Sequence, residues 1–194
     1  MHNKYERRAL QDPTELAVFL KLLRNENIRS YLEIGSKFGG SLWQVATVMP
    51  KGSRIVSVDL PHGDNSFKES QPHLEECVKR LRKELGYDAY LFLGDSTDPE
   101  IVAKVAALAP FDACLIDANH TAPFVRADWK NYGPLAKIVA FHDIGWVADG
   151  RVTKKYPIDV PQFWDELKIQ FSRHKEIKFC QTKRDNGFGV LWRD

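Results

Sequence analysis

Two hydrophobic rhythms alternate along the chain from residue 31 onward. Short runs of consecutive apolar residues mark strands covered on both faces. Longer segments with an apolar residue every three or four positions mark amphipathic helices. The runs predict strands at Tyr31–Gly35, Arg54–Val58, Ala89–Leu93, Ala113–Ile116 and Ile138–Phe141. Helices are predicted at Ser41–Met49, His73–Leu85 (closed by Gly86), Asp98 to Leu108, Phe124–Tyr132 and Val160–Phe171. An earlier helix opens at Asp12-Pro13-Thr14-Glu15, where an N-cap, a first-turn proline and a glutamate able to close a capping box stand together. Two last strands, Ile177–Gln181 and Phe188–Trp192, are separated only by Thr182–Gly187. That link is too short for a parallel crossover, so the pair runs antiparallel. The pattern is therefore α/β: a doubly wound, mostly parallel sheet with helices on both faces.

Composition adds boundaries to this picture. The 194 residues carry no internal repeat or interdomain linker, which predicts one domain over 1–194, with 1–30 as an N-terminal helical extension. Hydrophobic residues make up 43% and charged residues 28%, ordinary for a soluble protein. The charged opening Met1–Arg8 leads into no apolar run, and no stretch approaches the roughly 20 residues of a membrane span. Cys77, Cys114 and Cys180 are odd in number, scattered and in no metal-ligand spacing. Reduced thiols in a cytoplasmic protein are the expectation. A net charge of +2 gives no electrostatic case for a nucleic-acid or membrane partner. A small molecule is the partner expected, and a homodimer stays open.

In open α/β sheets ligands bind at the carboxyl ends of the strands, so the residues just after each strand carry the chemistry. After the first strand stands Glu33-Ile34-Gly35-Ser36-Lys37-Phe38-Gly39-Gly40-Ser41. Its glycines permit a sharp turn and close approach of a ligand to the backbone. Lys37 occupies the second glycine position of a dinucleotide fingerprint, which argues against a pyrophosphate site and a nicotinamide oxidoreductase. Asp59 ends the second strand, 24 positions beyond Gly35, where a carboxylate can accept from ribose hydroxyls. Gly94-Asp95-Ser96 follows the third, and Asp95 can accept from an adenine amino group while Asp98 caps the next helix. Asp117-Ala118-Asn119-His120 and His142-Asp143 follow the fourth and fifth. Two carboxylates and two imidazoles in one crevice are a dense set of titratable groups for a place without chemistry.

Taken in order, these motifs resemble the class I S-adenosylmethionine-dependent methyltransferases over Tyr31 to Trp192. The Asp117-Ala-Asn-His-Thr and Phe141-His-Asp stretches are similar to small bacterial enzymes related to sugar and antibiotic O-methyltransferases and to cephalosporin-hydroxylase-like proteins. The resemblance implies a seven-stranded sheet of order 3-2-1-4-5-7-6 with the last strand antiparallel. It implies S-adenosylmethionine held by Glu33, Gly35, Ser36, Gly39, Asp59, Leu60, Asp95, Ser96 and Asp117. Glu33 would help hold the methionine amino group. His120, His142 and Asp143 would be catalytic, and Asp117, His142 and Asp143 a site for a divalent metal. Metal-dependent catechol-type members carry Asp-Asn where this chain has His142-Asp143, and the Asp-Pro-Pro-Tyr type motif of amino-group nucleic-acid methylases is absent.

The reaction implied is O-methylation of a small-molecule hydroxyl, with the strand-end Asp/His cluster as base or metal site. A metal-dependent hydroxylase or hydrolase on the same fold, and a non-catalytic cofactor-binding protein, are the alternatives. The loops at Pro61–Gln71, with His62, Asp64 and Phe67, and at Gly145–Asp159, with Trp146 and Tyr156, are expected to cover the acceptor.

Overall fold

The computed structural model describes residues 9–61, 70–145, 158–179 and 186–193. The two loops expected over the acceptor lie almost wholly outside these residues, as do His62, Asp64, Phe67, Trp146, Tyr156 and Cys180. The first helix, α1 (Pro13–Asn25), is capped by Asp12, whose side chain accepts from the Thr14 and Glu15 N–H groups. Then strands and helices alternate: β1 (Ser30–Ile34), α2 (Gly40–Val48), β2 (Arg54–Asp59), α3 (Ser70–Lys83), β3 (Asp88–Leu93), α4 (Pro99–Ala106), β4 (Phe111–Ile116), α5 (Ala122–Tyr132), a 3₁₀ turn (Gly133–Leu135), β5 (Ala136–His142), α6 (Val160–Lys168), β6 (His174–Ile177) and β7 (Phe188–Trp192). The sheet has seven strands in the order β3-β2-β1-β4-β5-β7-β6. The first five are mutually parallel, and β7 runs antiparallel to both β5 and β6. Among the described residues no helix is long and apolar enough to cross a membrane.

Alternation along each strand divides the core in two. Tyr31, Ile55, Ala113, Leu115, Ile138 and Ala140 pack with Leu16, Phe19 and Leu23 of α1, Leu42 and Val45 of α2 and Leu74 and Leu81 of α3. Leu32, Ile34, Val56, Val58, Ile116 and Phe141 face the other way, onto Ile101, Val105, Val125, Phe163 and Trp164 of α4, α5 and α6. Both faces of the strands are thus dry, which is why they read as unbroken apolar runs.

Two expectations shift. The sixth strand lies at His174–Ile177 rather than Ile177–Gln181, and its first three residues are exposed. It is an edge strand built from His174, Lys175 and Glu176. Charge at an open edge guards against further pairing but erases the hydrophobic signal. Glu15 does not close a capping box: its Oε2 accepts from the Gly187 N–H, 3.0 Å away, and its Oε1 has no partner. Glu15 is buried, so α1 is fastened to the start of β7 through this side chain.

The tightest approach in the sheet is between the chain leaving β1 and the chain leaving β4. Gly35 has φ +88, and a Cβ there would stand 2.3 Å from the Asp117 carbonyl oxygen. The glycine is therefore required by the neighbouring backbone before any ligand is considered. Gly35→Ala should cost roughly 2–4 kcal/mol, through left-handed φ and overpacking together. Gly52→Ala, at φ +78 with open space around it, should cost about 1–2 kcal/mol through φ alone. Urea unfolding of the two variants checks this, and equal losses would mean that the Asp117 contact is slack.

Candidate functional site

The carboxyl ends of β1 to β5 open onto one cavity of about 710 Å³, large enough for a cofactor and part of a second ligand. Gly35, Ser36, Asp59, Leu60, Asp95, Ser96, Asp117, His120, His142 and Asp143 all line it. Twelve residues were expected on the site, and these ten meet there.

The remaining two, Glu33 and Gly39, support the wall from behind. Side chains alternate along β1, and Glu33 falls on the face that carries α2. It is fully buried, with Oε2 accepting from the Tyr31 hydroxyl at 2.8 Å and Oε1 from the Ser41 hydroxyl at 2.9 Å. Burial pushes its carboxyl up to about 7 against the donors that favour the charge. Ser41 and Ser36, which both face Glu33, line the cavity, so Glu33 bears on it through those side chains. Gly39 is the N-cap of α2 at φ +78, and a Cβ would lie 2.9 Å from the Cys77 side chain. Its glycine is set by α3 packing.

At the β2 end, Asp59 Oδ2 accepts from the Lys37 backbone N–H. Burial raises the Asp59 carboxyl, while the N–H groups around it restrain the rise. Lys37 adopts φ 50, so the residue that breaks the dinucleotide fingerprint still makes a left-handed turn and aims its N–H at the carboxylate. Ser36 is fixed from below by the Ser57 hydroxyl at 2.7 Å. At the β3 end, Asp95 Oδ1 accepts from both the N–H and the hydroxyl of Thr97 at 2.8 Å, which closes a turn. Asp98 caps α4 through the Glu100 N–H, as expected.

The β4 and β5 ends carry the densest chemistry. His120 Nε2 lies 2.9 Å from Asp143 Oδ2 and 3.5 Å from Asp117 Oδ1. His142 Nδ1 lies 3.5 Å from Asp117 Oδ1 and 3.4 Å from Asp143 Oδ1. Asp117 Oδ2 accepts from Gln11 Nε2 at 2.8 Å. Yet His120 Nε2, His142 Nε2 and Asp143 Oδ1 are buried without closing a hydrogen bond. The groups are near enough for ion pairing but are not aimed along one another's lone pairs. Asp143 holds φ 64, a left-handed conformation uncommon outside glycine. His142 sits 4.8 Å from Phe188, edge to face, with Phe19 stacked behind Phe188 at 4.7 Å.

Burial opposes charge on all four groups, and their mutual attraction outweighs it. Both histidines are pushed up to about 10 by the two carboxylates. Asp117 and Asp143 are held below the usual carboxylate range by the two histidines. The donor set also suits a metal. One ligand atom each from Asp117, His120 and Asp143 lies within 4.8 Å of the others, so small side-chain shifts would bring them to shared coordination at the roughly 2.0–2.2 Å of metal–N and metal–O bonds. His120 joins this group beside the Asp117 and Asp143 expected from the sequence, and His142 Nδ1 lies 3.5 Å and 3.4 Å from the same two carboxylates. His142 is packed against Phe188 and fills the wall beside this group.

Several lining residues were missed. Gln11 and Asn186 each present a buried amide oxygen without a partner, Gln11 Oε1 and Asn186 Oδ1. Gln11 stands just ahead of a helix cap and Asn186 just ahead of β7, where glutamine and asparagine are commonplace, so only tertiary contacts mark them: Gln11 on the Asp117 carboxylate and Asn186, whose carbonyl accepts from the Gly145 N–H. Leu10, Leu60 and Phe124, three of the five large exposed hydrophobic side chains among the described residues, also line this cavity.

A family model described as a methyltransferase domain matches residues 32–144. No curated protein matches the chain in sequence. Among solved structures, the O-methyltransferase TomG from Streptomyces achromogenes, involved in tomaymycin synthesis and crystallised with SAM, superposes with a TM-score of 0.72 at 19% identity, covering 100% of this chain and 92% of that one. A putative caffeoyl-CoA O-methyltransferase from Staphylococcus aureus gives 0.72 at 18% identity, covering 95% and 85%. The O-methyltransferase from Bacillus cereus in complex with SAH gives 0.66 at 16% identity, covering 94% and 82%.

The cluster sets a stability profile in chelator-treated protein. Each histidine binds its proton up to about 10 in the folded chain and only to about 6.5 in the unfolded one. Their contribution is therefore fully present below about pH 6.5 and is lost as pH rises towards 10. The lowered carboxylates contribute above about pH 4 and lose that contribution as pH falls. Urea midpoints should fall from neutral to alkaline pH, and less steeply in His120→Gln. An unaltered alkaline slope in that variant would show that His120 does not hold its proton.

Proposed function

The chain belongs to the methyltransferase-domain family, and we propose that it transfers a methyl group from S-adenosylmethionine to a hydroxyl of a small molecule. The observation that carries this reading is the joining of two differently equipped ends in one cavity: Asp59 and Asp95-Ser96 at one, and Asp117, His120, His142 and Asp143 at the other. The first end offers acceptors for a nucleoside, with Asp59 towards a ribose and Asp95 towards an adenine. The second offers charge beside an acceptor oxygen. The cofactor supplies an activated methyl on a sulfonium, so the protein's work is alignment and removal of the hydroxyl proton.

The protonated histidines bear on how that proton leaves. An imidazolium can hold an oxygen by donation but cannot take a proton from it. A divalent cation on Asp117, His120 and Asp143 would supply Lewis-acid lowering of the hydroxyl's pKa. Two carboxylates with one imidazole suit Mn²⁺, Fe²⁺ or Zn²⁺ better than Mg²⁺. Gln11 Nε2 keeps Asp117 Oδ2 turned towards the N-terminal segment, which leaves Oδ1 facing the histidines. Leu10 and Phe124 add apolar surface at the same cavity, which favours an acceptor with an apolar body over a wholly polar one.

Calorimetry with S-adenosylhomocysteine tests the cofactor end. Asp59→Ala should weaken binding by about 1–3 kcal/mol through lost charged hydrogen bonds, with Asp59→Asn between it and the parent. Undiminished affinity in Asp59→Ala would remove the ribose assignment. Methyl transfer from radiolabelled cofactor to a panel of phenols and sugars tests the other end. Activity should vanish after chelation and return with Mn²⁺ or Zn²⁺. Transfer that survives complete metal removal rejects the metal. Metal-dependent turnover of an added compound without label transfer would favour hydroxylase or hydrolase chemistry instead.

A further inference from the structure

Two helix starts meet beside the Asp/His cluster, and neither is capped by its own N-cap side chain. Helix α5 has Thr121 as N-cap, but that side chain makes no cap bond. Its hydroxyl, at 2.9 Å, and its N–H, at 3.0 Å, both donate to Asn119 Oδ1 instead. Helix α6 has Asp159 as N-cap, and this side chain also leaves its own helix uncapped. Asp159 Oδ2 accepts from the Ala122 N–H of α5 at 2.7 Å. The Asp159 N–H donates to the His120 carbonyl oxygen at 2.8 Å. A threonine or aspartate at an N-cap ordinarily serves the N–H groups of the turn that follows it. Here both are diverted, and both diversions end on the four residues Asn119 to Ala122, which enclose His120. Nothing in the methyl-transfer reading above uses Asn119 or Asp159.

We infer that Asp159 is a positioning residue for His120: by holding the Ala122 N–H and the His120 carbonyl it fixes the backbone from which the imidazole reaches Asp143 and Asp117, with Asn119 closing the same turn through Thr121. The inference rests on the reading above of the Asp/His cluster as the reacting end of the cavity. His120 needs such a hold. Its side chain is 35% exposed, and its Nε2 approaches Asp143 at 2.9 Å and Asp117 at 3.5 Å without closing a well-aimed hydrogen bond. His142 is different, since it is buried, paired with Phe188 across the β5–β7 ladder and packed on that ring. The imidazole of His120 can share a proton or a cation with the two carboxylates only while it stays between them, and a displacement of about 1 Å is enough to spoil such an arrangement. Asp159 acts from the start of α6, so the position of His120 depends on tertiary packing and not on its own loop alone. A carboxylate suits the post, because the free N–H groups of the first turn of α5 favour an anion. Asparagine would keep the acceptor and lose the charge, whereas alanine loses both.

The test follows His120 by NMR in chelator-treated protein carrying ring-labelled histidine, with its signals assigned from His120→Gln. Asp159→Ala should move the His120 ring signals towards those of a free histidine and leave the His142 signals in place. Asp159→Asn should return them to the parental positions. Calorimetry with Mn²⁺ gives a second readout. Asp159→Ala should weaken Mn²⁺ binding about 10- to 100-fold and leave S-adenosylhomocysteine affinity unchanged. In a His120→Ala background the same substitution should weaken Mn²⁺ binding no further, because its effect runs through the imidazole. Asn119→Ala, at an exposed loop position, should displace the same His120 signals and serves should Asp159→Ala fail to fold. Parental His120 signals in both Asp159→Ala and Asn119→Ala overturn the inference. So does a loss of Mn²⁺ binding in Asp159→Ala that persists undiminished without His120. A parent that neither binds Mn²⁺ nor transfers a methyl group removes the reading of the cluster, while the NMR comparison still decides whether Asp159 positions His120.

Discussion

Asp117 and Asp143 leave neighbouring parallel strands at the same edge of the sheet, and two carboxylates so placed cannot both remain charged without positive charge between them. Much of the surrounding structure is arranged around that constraint. His120 comes from the loop after β4 and His142 from the end of β5, and each lies within 3.5 Å of both carboxylates. Gln11 turns its amide hydrogens onto the free oxygen of Asp117, which requires α1 to be docked where it is. That docking uses the apolar side of α1 and the Glu15 link to Gly187. The N-terminal helix is therefore part of the site's scaffold.

The fold was legible because both of its signals are hydrophobic. Strands covered on two faces read as apolar runs, and helices covering them read as stripes, so five parallel strands and their helices could be placed within a few residues. The one displaced strand, β6, is the one whose residues face water. The site was legible for a different reason: a parallel sheet gathers the residues after every strand at one edge, so knowing where strands end suffices to name what meets there. Asp59, Asp95, Asp117, His120, His142 and Asp143 were found in that way.

What strand ends cannot tell is which side of the sheet a side chain leaves from. Glu33 precedes the glycine loop by two residues, yet alternation sends it to the α2 face, where it holds Ser41. Gly39 looks like a ligand-facing glycine, but a cysteine on α3 explains it. Gln11 and Asn186 were invisible because they approach from outside the strand-helix succession, by tertiary docking alone. Asp128 gave no signal in the sequence, because one polar residue within an amphipathic helix is ordinary. Its full burial depends on how α5 is rotated against β4.

That rotation ties the two ends of the cavity together. Helix α5 starts at the loop that presents His120, and its first turn is fixed by the Asp159 carboxylate, which accepts from the Ala122 N–H at 2.7 Å. Asp159 in turn donates its own N–H to the His120 carbonyl at 2.8 Å. Further along, Tyr132 grips Ser96. A helix is stiff along its axis, so a displacement of the Asp95-Ser96 loop is carried towards His120 rather than absorbed between them. The spacing between the Asp95-Ser96 loop at one end and the Asp/His cluster at the other is thus set by a single rigid element. Methyl transfer demands such an arrangement, because the reacting atoms must be aligned to within a fraction of an ångström while each is held by a different strand end.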